Sequence, residues 1–145
     1  MMVNDDTIKL LRECSAGVKM AITSIDDILD KVKDDKLKNI LIDNKNGHTT
    51  LDENIHKLLL SYNDTDKDPN PMARAMSWVK INVKMLMDHN DHEVATVISD
   101  GCQMGIDSLN KYLEQYKAAD QESKSITKKI ISLEEQLMKS LEKYK

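Results

Sequence analysis

The sequence predicts an all-α protein, a bundle of long antiparallel helices, and three observations carry that prediction. Apolar residues recur at alternating three- and four-residue steps over several long stretches, the period of one helix face. Turn formers are scarce, with 4 Gly and 2 Pro, too few for a many-stranded fold. The apolar residues are aliphatic and thioether-rich, with 9 Met, 1 Trp, 4 Tyr and no Phe, and methionine fills the irregular gaps between packed helices.

The first helix is expected over 5–33. Asn4 caps it, and Asp5 and Asp6 complement the positive end of its dipole. Its stripe runs through Ile8, Leu11, Ser15, Val18, Ile22, Ile25, Leu29 and Val32. The acid–lysine cluster from Asp30 to Lys36 makes a polar turn. A second stripe follows through Leu37, Leu41, Asn44, His48, Leu51, Ile55, Leu58 and Tyr62, giving a helix over 36–62. The short join makes the two an antiparallel hairpin.

Asn63 to Pro71 is the one clear loop, and Pro71 suits the first turn of a helix. A shorter helix over 71–89 carries Met72, Met76, Val79, Val83 and Leu86 on one stripe, and Trp78, Ile81 and Met85 on a second. Asn90 and Glu93 have capping-box spacing for a helix over 91–118, with Val94, Ile98, Gly101, Gly105, Leu109, Tyr112 and Tyr116 inward. The last helix, 121–144, places Ile126, Ile130, Leu133, Leu137, Leu141 and Tyr144 inward. Two long hairpins joined by a connection that holds a shorter helix is an arrangement open to a four-helix bundle.

Length and composition bound the class. A chain of 145 residues, 40% hydrophobic and 32% charged, reads as one domain over 1–145 that can bury a core without staples. A net charge of −4 argues against nucleic acid, which needs a cationic footprint. No stretch is apolar enough to span a bilayer, and no basic-then-apolar N-terminal run suggests export, so no membrane is expected and the location expected is cytoplasmic. Cys14 and Cys102 lie far apart in helical patterns and read as free, semi-buried thiols.

Three runs resemble a known family: Leu10 to Val18 on the first helix, Pro71 to Trp78 on the crossover helix, and Asp100 to Asp107 with Tyr112 after it. They are similar to an uncharacterised bacterial family of ferritin-like four-helix-bundle proteins, a domain of unknown function. The resemblance covers most of the chain. It implies a ferritin-like antiparallel four-helix bundle with the additional shorter helix in the crossover, and little about activity. The family's pattern carries a Gly-Glu pair on the first helix and another after the crossover. Here those positions read Gly17-Val18 and Gly105-Ile106, so this member lacks two of the usual metal-ligand acids.

Candidate sites follow from chemistry. A di-iron bundle needs a Glu from each of two helices and a Glu-x-x-His from each of the other two. One such tetrapeptide is present, Glu53-Asn54-Ile55-His56; Glu134 and Glu135 are followed by Leu137 and Met138, where a His would be required. Glu13 and Glu53 each stand two positions past a seam leucine, well around the helix from the core. The metal candidates are therefore Glu53, His56, His48 and Glu13. Asn44 and His48 are candidate polar core residues, since the stripe points both inward, where they need partners.

Asp88 to Glu93 concentrates ligand types, with His89 and His92 able to take zinc or nickel, but reads first as a capping turn. Asp64 to Asp68 starts like a calcium loop and fails at its sixth position, Pro69, and its twelfth, Ala75. Neither cysteine has a neighbouring histidine, and no phosphate loop or nucleophile elbow occurs. The expectation is a non-enzymatic bundle with no cofactor that acts through association, as a homo-oligomer or with a protein partner. The motivation is the incomplete carboxylate set and the two apolar faces of 71–89. The alternative is a metal-binding protein, with iron or manganese in a di-metal or single-metal site and oxidase or storage-type chemistry.

Overall fold

The computed structural model describes residues 4–64 and 90–145, and four long helices account for most of them. Helix α1 (Asp5–Ile28) starts where Asn4 Oδ1 accepts from the Thr7 amide at 2.9 Å. Helix α2 (Asp35–Ser61) follows a single 3₁₀ turn, Leu29–Lys31. Helix α3 (Asp91–Gln115) is capped by Asn90, whose Oδ1 accepts from the Glu93 amide at 2.8 Å. Helix α4 (Gln121–Leu141) is capped by Asp120, which accepts from the Ser123 amide at 2.8 Å, and ends in a 3₁₀ turn, Glu142–Tyr144. Each cap satisfies an amide that the helix itself cannot.

Hydrogen bonds between the ends fix the direction of every helix. Asn4 Nδ2 donates to the Ala118 carbonyl (2.7 Å), Asp6 accepts from the Ala118 amide (3.1 Å), and Thr7 Oγ1 accepts from the Asp120 amide (2.8 Å). The start of α1 therefore lies against the α3–α4 turn. At the opposite end, the Asp91 carboxylate accepts from the amides of Lys33 and Asp34, at 2.9 and 3.1 Å. The start of α3 thus lies against the α1–α2 turn.

It follows that α1 and α4 run one way and α2 and α3 the other. The pairs α1–α2, α3–α4, α1–α3 and α2–α4 pack antiparallel, and the parallel pair α1–α4 meets across a diagonal. Helix α2 ends and α3 begins at opposite ends of the bundle. An exposed bidentate pair, Arg12 to Asp64 (Nε–Oδ2 2.8 Å), ties the end of α2 back to α1.

The stripes read from the sequence give the right faces with small corrections. Helices expected over 5–33 and 91–118 stop at Ile28 and Gln115. In the second case the backbone of Ala118 is drawn into bonds with Asn4 and Asp6, which a helical path would not permit. Those expected over 36–62 and 121–144 run Asp35–Ser61 and Gln121–Leu141. On α2 the buried residue is Leu59, with Leu58 only partly covered; on α4 it is Glu134, with Leu133 partly covered. The shorter helix expected over 71–89 lies outside the described residues.

The core falls into two apolar clusters. One, toward the α3–α4 turn, gathers Leu10, Leu11, Val18, Ile55, Leu109 and Ile130 among others. The other, toward the α1–α2 turn, gathers Ile25, Ile28, Leu37, Leu41, Val94 and Leu141 among others. Each fully buried side chain of this kind contributes about 1.5–3 kcal/mol. No described helix is long and apolar enough to cross a membrane.

Candidate functional site

Between the two clusters the stripe of every helix changes character. On α1 it passes Gly17 and Ser24; on α2, Asn44 and His48; on α3, Gly101, Cys102 and Gly105; on α4, Glu134. Together these line a cavity of about 50 Å³, whose other walls are Met20, Ala21, Ile25, Ile98 and Leu137.

Two glycines shape this layer. A Cβ on Gly47 would stand 3.1 Å from Leu133 Cδ2, so this glycine lets α2 close onto α4 beside His48. A Cβ on Gly105 would stand 2.3 Å from Glu134 Oε2 and 2.9 Å from its Cδ. The Glu134 carboxyl therefore occupies the space that any side chain at 105 would fill.

His48 is fully buried, and its Nδ1 lies 3.0 Å from the Asn44 carbonyl oxygen. A carbonyl only accepts, so Nδ1 carries a hydrogen and Nε2 is the ring's free position. Nε2 faces Glu134 Oε1 at 3.9 Å, with both side chains almost wholly covered. That is ion-pair distance and beyond hydrogen-bond reach. Burial pushes the Glu134 carboxyl above the usual carboxylate range, and His48 draws it partly back. Burial, and then the Glu134 charge, raise the Cys102 thiol as well and keep it protonated.

Asn44 donates through Nδ2 to the Leu133 carbonyl at 2.9 Å. Its Oδ1, the His48 Nε2 and the Glu134 Oε2 are all buried without a hydrogen-bond partner among the described residues. Each orphaned group of this kind costs about 1–3 kcal/mol. All three belong to residues that line the one cavity. Ser99 Oγ is also without a partner among them, but Ser99 is not in the lining.

The structure thus brings Asn44 and His48 together and leaves the other candidates elsewhere. Glu53 and His56 are exposed on α2. Glu13 is half-buried and lines a separate groove of about 110 Å³ between α1 and α3, which shares Gly17, Met20, Gly105 and Glu134 with the cavity. Glu134, which fails the Glu-x-x-His pattern because Leu137 stands where a His is required, is nevertheless the carboxylate buried in this layer. It lies four residues past Ile130 and three before Leu137, in step with the seam, and Gly105 on the facing helix was the second signal.

Cys14 is sealed in the apolar cluster, its Sγ 3.1 Å from Thr127 Oγ1. The Thr127 hydroxyl donates to the Ser123 carbonyl (2.8 Å), so the thiol donates to Thr127. Burial raises this thiol to about 12. In the ligand-rich run, Asn90 is a cap, Asp91 holds the α1–α2 turn, and His92 is exposed; His89 lies outside the described residues. Asp64 pairs with Arg12, and the rest of the 63–71 loop past it is likewise outside.

A di-iron centre does not fit this layer, which holds one carboxylate and one imidazole where that centre needs four carboxylates and two. Among the described residues, no three His, Cys, Asp or Glu side chains gather as a metal-holding group.

No family model matches the chain, and no curated protein matches it. Among solved structures, a DUF305 fragment from Deinococcus radiodurans is similar to it at 10% identity and a TM-score of 0.75, over 99% of this chain and 97% of that one. At that identity the likeness establishes a shared all-helical fold.

Proposed function

We propose that this protein is a ferritin-like bundle that acts as a binding protein, holding a small cationic ligand in the cavity between its two apolar clusters. The up-down-down-up course of α1 to α4, with the crossover between α2 and α3, supports the ferritin-like assignment. The observation that carries the binding reading is the convergence of unpartnered acceptors. Asn44 Oδ1, His48 Nε2 and Glu134 Oε2 can all accept, and their residues line a cavity large enough for a few water-sized groups. A ligand that donates to all three, or carries positive charge, complements them. The single carboxylate and single imidazole favour holding such a ligand over the two-metal oxidase chemistry of a di-iron site.

The test is a thermal-shift screen of the full chain against small cations, both divalent metals and alkylammonium ions. A stabilising cation whose effect disappears in Glu134→Gln is the expected result. A wild type that no small cation stabilises defeats the reading. Self-association, or association with a protein partner, is motivated by the apolar faces of 71–89, outside the described residues. Among the described ones the large exposed apolar side chains are Ile42, Leu60 and Met104, and the first two lie about 27 Å apart along α2.

A further inference from the structure

The chemistry of the cavity narrows the cation further, on the assumption that the binding reading above holds. We propose that it is a site for a single divalent first-row transition-metal ion, ligated by His48 Nε2 and the Glu134 carboxylate, with Asn44 Oδ1 as the third protein ligand.

His48 has the form of a metal-ready imidazole. Its Nδ1 hydrogen is engaged by the Asn44 carbonyl at 3.0 Å, which fixes the tautomer and the ring plane and leaves Nε2 as the lone-pair nitrogen. Metal-bound histidines are held by this kind of outer bond. Two bonds of about 2.0–2.2 Å at a tetrahedral angle set their outer atoms roughly 3.4 Å apart, so an ion between Nε2 and Oε1, which stand 3.9 Å apart, is held once the two side chains close by about half an ångström. A direct hydrogen bond between them would instead need roughly 2.7–3.2 Å.

The donor set decides the class of ion. One imidazole nitrogen with carboxylate and amide oxygens suits zinc, iron, cobalt or manganese, whereas an all-oxygen cage would suit calcium or magnesium. Cys102 lines the same cavity, but among the described residues it does not gather with His48 and Glu134 into a three-ligand group, so the ligation assigned to the ion is nitrogen and oxygen alone. Gly105 keeps the Glu134 carboxyl in place, since a side chain there would displace it. The α1–α3 groove shares Gly17, Met20, Gly105 and Glu134 with the cavity and so borders the same carboxyl from the solvent side.

Untagged full-length protein, freed of metal by chelation, would be titrated with Zn(II), Mn(II) and Co(II) and read by calorimetry and by the Co(II) absorption spectrum. One ion per chain is expected, with nitrogen–oxygen ligation and no thiolate charge-transfer band. His48→Ala and Glu134→Gln should each weaken binding by on the order of tenfold to a hundredfold or more. His56→Ala should leave it unchanged. Circular dichroism would confirm that the variants fold, with His48→Gln replacing His48→Ala if needed. Binding that survives both core substitutions, or two ions per chain, overturns the proposal. If no metal binds but an alkylammonium ion stabilises the wild type and not Glu134→Gln, the metal assignment falls and the binding cavity stands. If neither a metal nor an alkylammonium ion binds, both fall.

Discussion

Cys14 and Cys102 are both buried thiols on inward faces, yet their surroundings differ in kind. Cys14 sits among Leu10, Leu11, Val18 and Ile55, and its one polar need is met by Thr127. Cys102 borders a cavity whose acceptors are not met. The difference runs through the whole bundle. At the two ends the helices close on each other mainly with aliphatic side chains, as stability requires. In the middle they leave space and unpartnered atoms, each at a cost in stability. A layer that retains that cost on α2 and α4 is the part of this molecule where binding is the better explanation than folding.

The sharpest contrast comes from truncating an end. Ile55→Ala removes a fully buried side chain from the cluster near the α3–α4 turn and should lower stability by about 2–5 kcal/mol, measured by urea denaturation. A loss under about 1 kcal/mol would mean that this end is as loosely packed as the middle.

Glu134→Gln in the middle layer should act in the opposite direction. The folded pKa of Glu134 is raised above its unfolded value. Its contribution is therefore fully present below the unfolded pKa and is lost as pH rises through the folded one. The metal-free variant should thus gain on the wild type as pH climbs from the carboxylate range to neutrality, on the order of 1 kcal/mol. Parallel pH profiles for the two proteins would show that the carboxyl is better solvated than its burial implies.

Gly17 and Gly105, both in the lining of the cavity, give a matched pair. A Cβ on Gly17 meets nothing within 4 Å, whereas one on Gly105 meets the Glu134 carboxyl. Gly17→Ala should therefore gain about 1 kcal/mol from helix propensity. Gly105→Ala should lose that gain to the displaced carboxylate, and lose cation binding with it. Equal stabilisation by both would remove Gly105 from the account of the site. The smallest effect is expected at the surface, where Arg12→Ala breaks the exposed pair with Asp64 and should cost less than about 1 kcal/mol, falling further with added salt.

Much of the fold was legible because helices announce themselves locally. The caps at Asn4 and Asn90, and the 3.6-residue stripes, depend on near neighbours in the chain. His48 and Asn44 were readable as inward for the same reason. Glu134 was not, because Leu133 beside it offers an equally good seam position and is apolar. Choosing between them requires knowing that Gly105 lies opposite Glu134 and that Gly47 lies opposite Leu133, and those pairings join residues on different helices.

The sequence by itself determined the helices, their approximate limits and the faces they bury, since periodicity and capping are properties of a single segment. Only the tertiary structure decided which helices run parallel, that the polar positions of all four meet at one level, and that Glu53, His56 and Glu13 lie away from it. A rotation of one residue turns a helical side chain by about 100°. The difference between a solvated carboxylate and a buried one is therefore set by the packing of neighbouring helices, which no single stripe records.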